Sequence, residues 1–175
     1  MKRPALLALA LLALTGTARA DGFSLRTTAF RDGGTIPAAQ VFNRLGCTGN
    51  DISPALAWSG APAGTRSYAV TLFDSDARRG KGYWHWIVAN IPARVTSLPE
   101  GSGSRRNALP RGTGYQGPCP PVGDPPHHYH LTVYALRIAQ LPAAALASHA
   151  VLRRTLAQEA LASATITGLY GRPAR

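Results

Sequence analysis

Glycine and proline break this chain into short pieces: its 175 residues include 18 Gly and 14 Pro. An interior Gly costs a helix about 1 kcal/mol and an interior Pro about 3 kcal/mol relative to Ala. That load argues against a helical bundle or coiled coil and for a turn-rich, mainly β architecture. Between the breakers lie runs rich in β-branched and aromatic residues. SYAVTLFD at 67–74, WHWIVANI at 84–91 and HHYHLTVYALRI at 127–138 each read as strands. Shorter extended pieces are expected at 23–30, near Thr35-Ile36-Pro37 with Val41-Phe42, and at Ala55-Leu56-Ala57-Trp58. Hydrophobic residues form 45% of the chain, enough to bury a core. A chain of this length makes one domain and not comfortably two.

One segment reads as helix. From Ala143 to Ala164, the residues Ala145, His149, Leu152, Leu156, Ala160 and Leu161 fall on one stripe at helical spacing. Pro142 suits the first turn and Gly168 lies just past the end. With many strands and one late helix, the strand–helix alternation of a doubly wound α/β fold is missing. The stretch from Pro92 to Pro126 is dense in Gly and Pro and is expected to be irregular. A loop of that length inside a compact domain is usually functional.

The first twenty residues read separately. Lys2 and Arg3 precede an apolar run from Ala5 to Leu14, and Thr17-Ala18-Arg19-Ala20 ends in the Ala-x-Ala pattern that a signal peptidase accepts. The run is too short to span a bilayer, which disfavours the alternative of a transmembrane anchor. The expected product is a single domain, 21–175, periplasmic or secreted after cleavage following Ala20. Loss of Lys2, Arg3 and Arg19 lowers the formal charge from +11 to +8. That excess suits anionic headgroups, phosphate esters or acidic partners. The basic residues are scattered, however, as Arg78-Arg79-Lys81, Arg105-Arg106 and Arg153-Arg154, and the plainer reading is a solvated basic surface. No run is long enough for a nucleic-acid arm, and export argues against that partner. Cys47 and Cys119 are the two cysteines. In an oxidising compartment they read first as a disulfide. Two separate thiols, or a redox pair without the usual Cys-x-x-Cys spacing, are the alternatives.

Candidate chemistry sits at strand ends. A period of two puts Asp74 on one face with Tyr68, Val70 and Leu72, at the rim of the core, where a carboxylate can orient a histidine. The plainer reading of Asp74-Ser75-Asp76 is a turn that caps loop amides. His85, inside Tyr83-Trp84-His85-Trp86, is expected to be at least half buried, with Asp74 or Asp76 as natural partners or simply as a satisfied core histidine. In His127-His128-Tyr129-His130 the strand alternation separates His127 and Tyr129 from His128 and His130. No nearby residues complete a zinc set, so neither a metal nor a cofactor is expected. Gly117-Pro118-Cys119-Pro120-Pro121 reads as a stiff connector or as the wall of a pre-formed pocket.

In order, the motifs are Asn50-Asp51-Ile52-Ser53-Pro54, Asp74-Ser75-Asp76, Trp84-His85-Trp86, Leu98-Pro99, Gly114-Tyr115-Gln116-Gly117-Pro118-Cys119-Pro120-Pro121 and His127-His128-Tyr129. This series closely resembles the phosphatidylethanolamine-binding protein family, the Raf-kinase-inhibitor-like proteins, in its bacterial YbhB/YbcL branch, over about Phe23 to Arg172. The resemblance implies two antiparallel β-sheets with Greek-key-like connections and a few helices. It also implies a small surface pocket for phosphate, phosphorylethanolamine and similar anions. Carried over, Asp74 and Asp76 match the family's Asp-x-Asp pair, His85 its first pocket histidine and Tyr83 a lining aromatic. Gly117 to Pro121 match the pocket wall, His127 the second histidine and Tyr129 the pocket tyrosine. Three departures stand out. His128 takes a position where the family usually has Arg, Ser75 replaces a proline, and residues 108–114 pass almost directly into Tyr115 where bacterial members commonly carry a longer segment.

The function expected is an exported binder of a phosphate or phospholipid-headgroup-sized anion. It is not expected to be an enzyme, since no nucleophile stands beside a matched base and a disulfide would disable Cys119. The alternatives are a protein-level inhibitor or modulator of a protease or kinase, and an enzyme acting on small phosphoesters.

Overall fold

The structure, a computed structural model, describes residues 22–103 and 112–174. The signal-like segment 1–20, Arg105-Arg106 and residues 108–111 of the shortened rim lie outside the described residues. Eight strands are described: β1 (Ser24–Thr27), β2 (Leu56–Ser59), β3 (Ser67–Asp74), β4 (Tyr83–Pro92), β5 (Ser97–Leu98), β6 (Gly112–Thr113), β7 (His127–Leu136) and β8 (Ala160–Tyr170). They form two antiparallel sheets, ordered β1-β2-β5 and β6-β4-β3-β7-β8. A 3-10 turn covers Ala38–Gln40, α1 (Ala77–Gly80) is a single turn with non-helical backbone at Arg78 and Arg79, and the helices are α2 (Ala143–Ala147) and α3 (His149–Glu159).

The larger sheet is buried on both faces. Tyr68, Val70 and Leu72 of β3, with Leu131 and Val133 of β7, meet Leu25, Leu56, Trp58 and Leu98 of the smaller sheet. On the reverse, Ala69, Ile87 and Ala89 pack with Leu141, Ala145, Leu152 and Leu156 under α2 and α3. Two-sided burial explains why SYAVTLFD is buried at nearly every position and does not alternate apolar with polar. The layers are therefore small sheet, large sheet and helices.

The helix expected over 143–164 is corrected in two ways. Ser148 leaves the helical region (φ −144, ψ 123) and separates α2 from α3, its hydroxyl accepting from the Val151 N–H at 3.5 Å. The second helix then stops at Glu159, and residues 160–170 are the strand β8, paired with β7 from Leu136↔Ala160 to His127↔Tyr170. Ala145, Leu152 and Leu156 of the expected stripe are buried, whereas Leu161 is 37% exposed. The short Ala and Leu residues at 160–162 fit helix or strand. What decides the outcome is the open edge of β7 and the β-branched Thr165-Ile166-Thr167 that follow. Gly168, expected past a helix end, lies inside β8. A Cβ there would come within 2.5 Å of Ile36 Cγ1 and 2.9 Å of Phe30 Cε2. The stretch 92–126 also holds two short strands, β5 and β6, rather than being irregular throughout.

Because β3 runs antiparallel to both β4 and β7, its C-terminal end lies beside their N-terminal ends. Asp74 is opposite Tyr83 on one side and Tyr129 on the other. One end of the sheet thus gathers the polar ends of its three central strands.

Candidate functional site

A register shift aims the first histidine. Leu72 pairs with Trp86 and Phe73 with Trp84, which leaves His85 as the extra residue of a β-bulge. Bulges re-aim side chains in this way. Trp84 stays with Phe73, ring centroids 4.9 Å apart. His85 turns to the Asp74–Tyr129 side, its ring edge-on to Tyr129 at 5.3 Å.

Asp74 is the hub, and it is 2% exposed. One carboxylate oxygen, Oδ1, accepts the backbone N–H groups of Asp76 (2.9 Å) and Ala77 (3.0 Å). The other, Oδ2, meets His127 Nδ1 at 2.8 Å and lies 3.9 Å from His85 Nε2. Burial pushes the Asp74 carboxyl up, but the His85 and His127 imidazoles and the two backbone N–H groups together outweigh it and hold it well below the ordinary 3.8. Asp74 is therefore ionised and can only accept. His127 Nδ1 therefore donates to it, while Nε2 lies 3.6 Å from Asp124 Oδ2. His85 is fixed the same way by a carbonyl, since its Nδ1 lies 2.7 Å from Gln116 O. Both imidazoles are thus oriented through Nδ1.

Of the two carboxylates expected beside His85, Asp74 is the one there, and Asp76 turns to His128. Its Oδ2 accepts the His128 backbone N–H (2.7 Å) and faces His128 Nδ1 at 3.0 Å. Mainly through that backbone bond, its carboxyl is also held below the usual value. Tyr83 donates its hydroxyl to Gln116 Oε1 at 2.9 Å, and the Arg78 guanidinium lies 4.9 Å from the centre of its ring.

The wall opposite is pinned from behind. The Gly117 N–H donates to Asp51 Oδ1 at 2.7 Å, and the Phe42 N–H donates to Pro118 O at 3.1 Å. A Cβ on Gly117 would run into the Gln40 carbonyl and the Phe42 backbone N, so only glycine fits this close approach. Cys47 and Cys119 form a disulfide that ties the 42–47 loop to the wall. Arg172 adds bonds to Gly46 O (2.9 Å) and Pro120 O (3.3 Å).

Together these groups enclose a cavity of about 590 Å³. Of the residues expected at the site, Asp74, Asp76, Tyr83, His85, His127 and Tyr129 all line it, as do Gly117, Cys119, Pro120 and Pro121. Pro118 does not; it is fully buried behind the wall. Arg78, Arg79, Gln116, Asp124, Phe42 and Leu45 also line the cavity and were missed. The Arg pair was legible as charge next to Asp76, but its backbone was not: Arg78 and Arg79 adopt left-handed φ of 54° and 60°. Leu45, also left-handed at φ 53°, is 81% exposed at the mouth.

The Tyr129 hydroxyl is buried, beside Asp74, and has no hydrogen-bond partner within reach among the described residues. Burial first, then the Asp74 charge beside it, push its pKa far above the ordinary 10. An unpaired buried hydroxyl costs about 1–3 kcal/mol. Tyr129→Phe should therefore leave the thermal unfolding midpoint unchanged or raise it. A fall of more than a few degrees would mean that the hydroxyl has a partner in solution.

Comparison with known proteins agrees with this geometry. A family model described as phosphatidylethanolamine-binding protein matches residues 26–171. The UPF0098 protein YbcL of Escherichia coli K12 is 40% identical over 168 residues, 90% of this chain and 92% of its own length. The crystal structure of E. coli YbcL, described as a member of the mammalian PEBP family, superposes with a TM-score of 0.79 at 41% identity. It covers 85% of this chain and 98% of its own. YbhB of the same organism is 43% identical over 150 residues, 80% of this chain and 94% of its own. A Mycobacterium tuberculosis protein named putative lipoprotein LppC is 36% identical over 164 residues, 90% of this chain and 77% of its own.

Proposed function

The chain belongs to the phosphatidylethanolamine-binding protein family, and from that premise we propose that its cavity binds a phosphate-bearing anion the size of a phospholipid headgroup. The observation that carries this reading is the convergence on one cavity of two histidines oriented through Nδ1 and a buried tyrosine hydroxyl without a hydrogen-bond partner among the described residues. Phosphate oxygens can accept from the Tyr129 hydroxyl, and from a histidine Nε2 that carries a proton. Binding is favoured over turnover because Cys119, the cysteine of the wall, is held in a disulfide and cannot act as a nucleophile.

Export completes the reading. The Ala-x-Ala segment before Asp21 and the disulfide both suit an extracytoplasmic protein, and one relative is named a lipoprotein. No helix among the described residues is long and apolar enough to cross a membrane. On this reading residues 1–20 are removed, and the ligand is met in the periplasm or outside the cell.

Titration calorimetry with inorganic phosphate and phosphorylethanolamine tests the binding. Hydrogen bonds to charged groups contribute about 1.5–3 kcal/mol each. His85→Ala and His127→Ala should each weaken binding at least about tenfold. Unchanged affinity in both variants would sink the proposal.

A further inference from the structure

We propose that Arg78 and Arg79 make this cavity select phosphomonoesters over phosphodiesters, an inference that rests on the anion-binding reading above. Charge is the first argument. Three carboxylates, Asp74, Asp76 and Asp124, line the cavity, and the two guanidiniums are the fixed positive charges set against them. Without the Arg pair, an anion would enter a hollow lined by three carboxylates. Among the described residues the ion pairs involve other partners, so neither guanidinium is neutralised by a carboxylate of the protein.

Backbone geometry is the second. A left-handed non-Gly residue costs roughly 1–2 kcal/mol, and here two stand in succession, at φ 54° and 60°. Gly80 and Gly82, at φ 81° and 78°, make the same excursion without that penalty. A turn needing only its shape would be better served by Gly or Asn throughout. The strained pair is held from both ends: Asp74 Oδ1 accepts the N–H groups of Asp76 and Ala77, and the Gly82 N–H donates to Ala77 O at 2.9 Å. Strain that the surrounding structure over-determines clusters at ligand sites. Arg78 is further placed by its stack on Tyr83, which is itself anchored through Gln116.

Ligand chemistry is the third. A guanidinium fork engages two phosphate oxygens. A monoester presents three non-bridging oxygens and up to two charges; a diester presents two oxygens and one charge. His85 and His127 also line the cavity, and a monoester's third oxygen gives their ring nitrogens a partner that a diester's esterified oxygen does not. The monoester can be a free metabolite or the headgroup of a phosphatidic-acid-type lipid.

Calorimetry on the protein with its disulfide intact should compare phenyl phosphate with methyl phenyl phosphate. The wild type should prefer the monoester by about tenfold or more, the discount from a buried pair reflecting the exposure of both guanidiniums. The double variant Arg78→Gln with Arg79→Gln should lose most of that preference and weaken phenyl phosphate by a similar factor, with an unchanged melting curve. Arg78→Gly, which suits the left-handed backbone, serves if the Gln variant melts early. Equal affinities in the wild type, or a preference that survives in the double variant, would overturn this inference while leaving the anion reading intact. If neither ester nor inorganic phosphate binds the wild type, the anion reading itself fails, and the selectivity with it. Co-sedimentation with phosphatidic acid vesicles, set against phosphatidylcholine vesicles, then tells the lipid source from the free one.

Discussion

Asp74→Ala should lower the stability of the fold by about 3–5 kcal/mol and abolish anion binding together. No other side chain at the site holds so many groups at once. Its loss strands the His127 Nδ1–H, whose side chain is 8% exposed, and frees the two backbone N–H groups that shape the Arg78–Arg79 turn. Asp74→Asn separates the contributions. The amide oxygen can still accept from Asp76 and Ala77, but its NH₂ then faces the N–H of His127. The imidazole must take the other tautomer or lose the bond. Acid titration gives the sharper check. The folded-state pKa of Asp74 lies below its unfolded value, so its stabilisation is fully present above the ordinary 3.8 and fades as pH falls from there toward the lowered folded value. Urea unfolding of wild type and Asp74→Asn at pH 6, 4 and 3 should show the gap between them narrowing with acid. A gap that stays constant, or stays under about 1 kcal/mol, would show that Asp74 is not the ionised hub described here.

Much of this arrangement could be read from the sequence. β3 and β4 match their expected limits within a residue or so, and β7 ends only two residues short of its own. Period-two alternation placed Asp74 beyond Tyr68, Val70 and Leu72 and separated His127 and Tyr129 from His128 and His130. The alternation of side-chain direction along a strand holds even where, as in β3, burial on both faces removes the alternation of polarity. What the sequence hid were departures from regular backbone. The bulge that turns His85 inward depends on how β4 seats against β3. The left-handed turn at Arg78-Arg79 contradicts the usual preference of arginine, so the pair looked like surface charge. β8 was hidden because Ala160-Leu161-Ala162 carries no strand preference of its own and takes its form from the edge of β7. A short-range pattern finds the strands, whereas the site depends on long-range seating.

Replacing both Cys47 and Cys119 with Ala should lower the unfolding free energy by about 4 kcal/mol, since the disulfide closes a loop across 72 residues. For a chain of this size that corresponds to a fall of about 10 °C in the melting midpoint. Binding should respond quite differently from the Asp74 variants. The wall keeps its other attachments: Gly117 N–H to Asp51, Phe42 N–H to Pro118 O, and Arg172 to Gly46 and Pro120. The disulfide stabilises chiefly by restricting the unfolded chain, whereas the Asp74 bonds exist in the folded site itself. Below the melting transition the double Ala variant should therefore bind phosphate within a few-fold of wild type, though far less stable to heat. Reductant added to the wild type should reproduce the lower midpoint. A stability loss under about 1 kcal/mol would mean that residual structure already holds the two segments together in the unfolded chain. Loss of binding at low temperature would instead make the disulfide part of the site, holding the Phe42–Leu45 loop at the mouth of the cavity where the ester group of a bound ligand would rest.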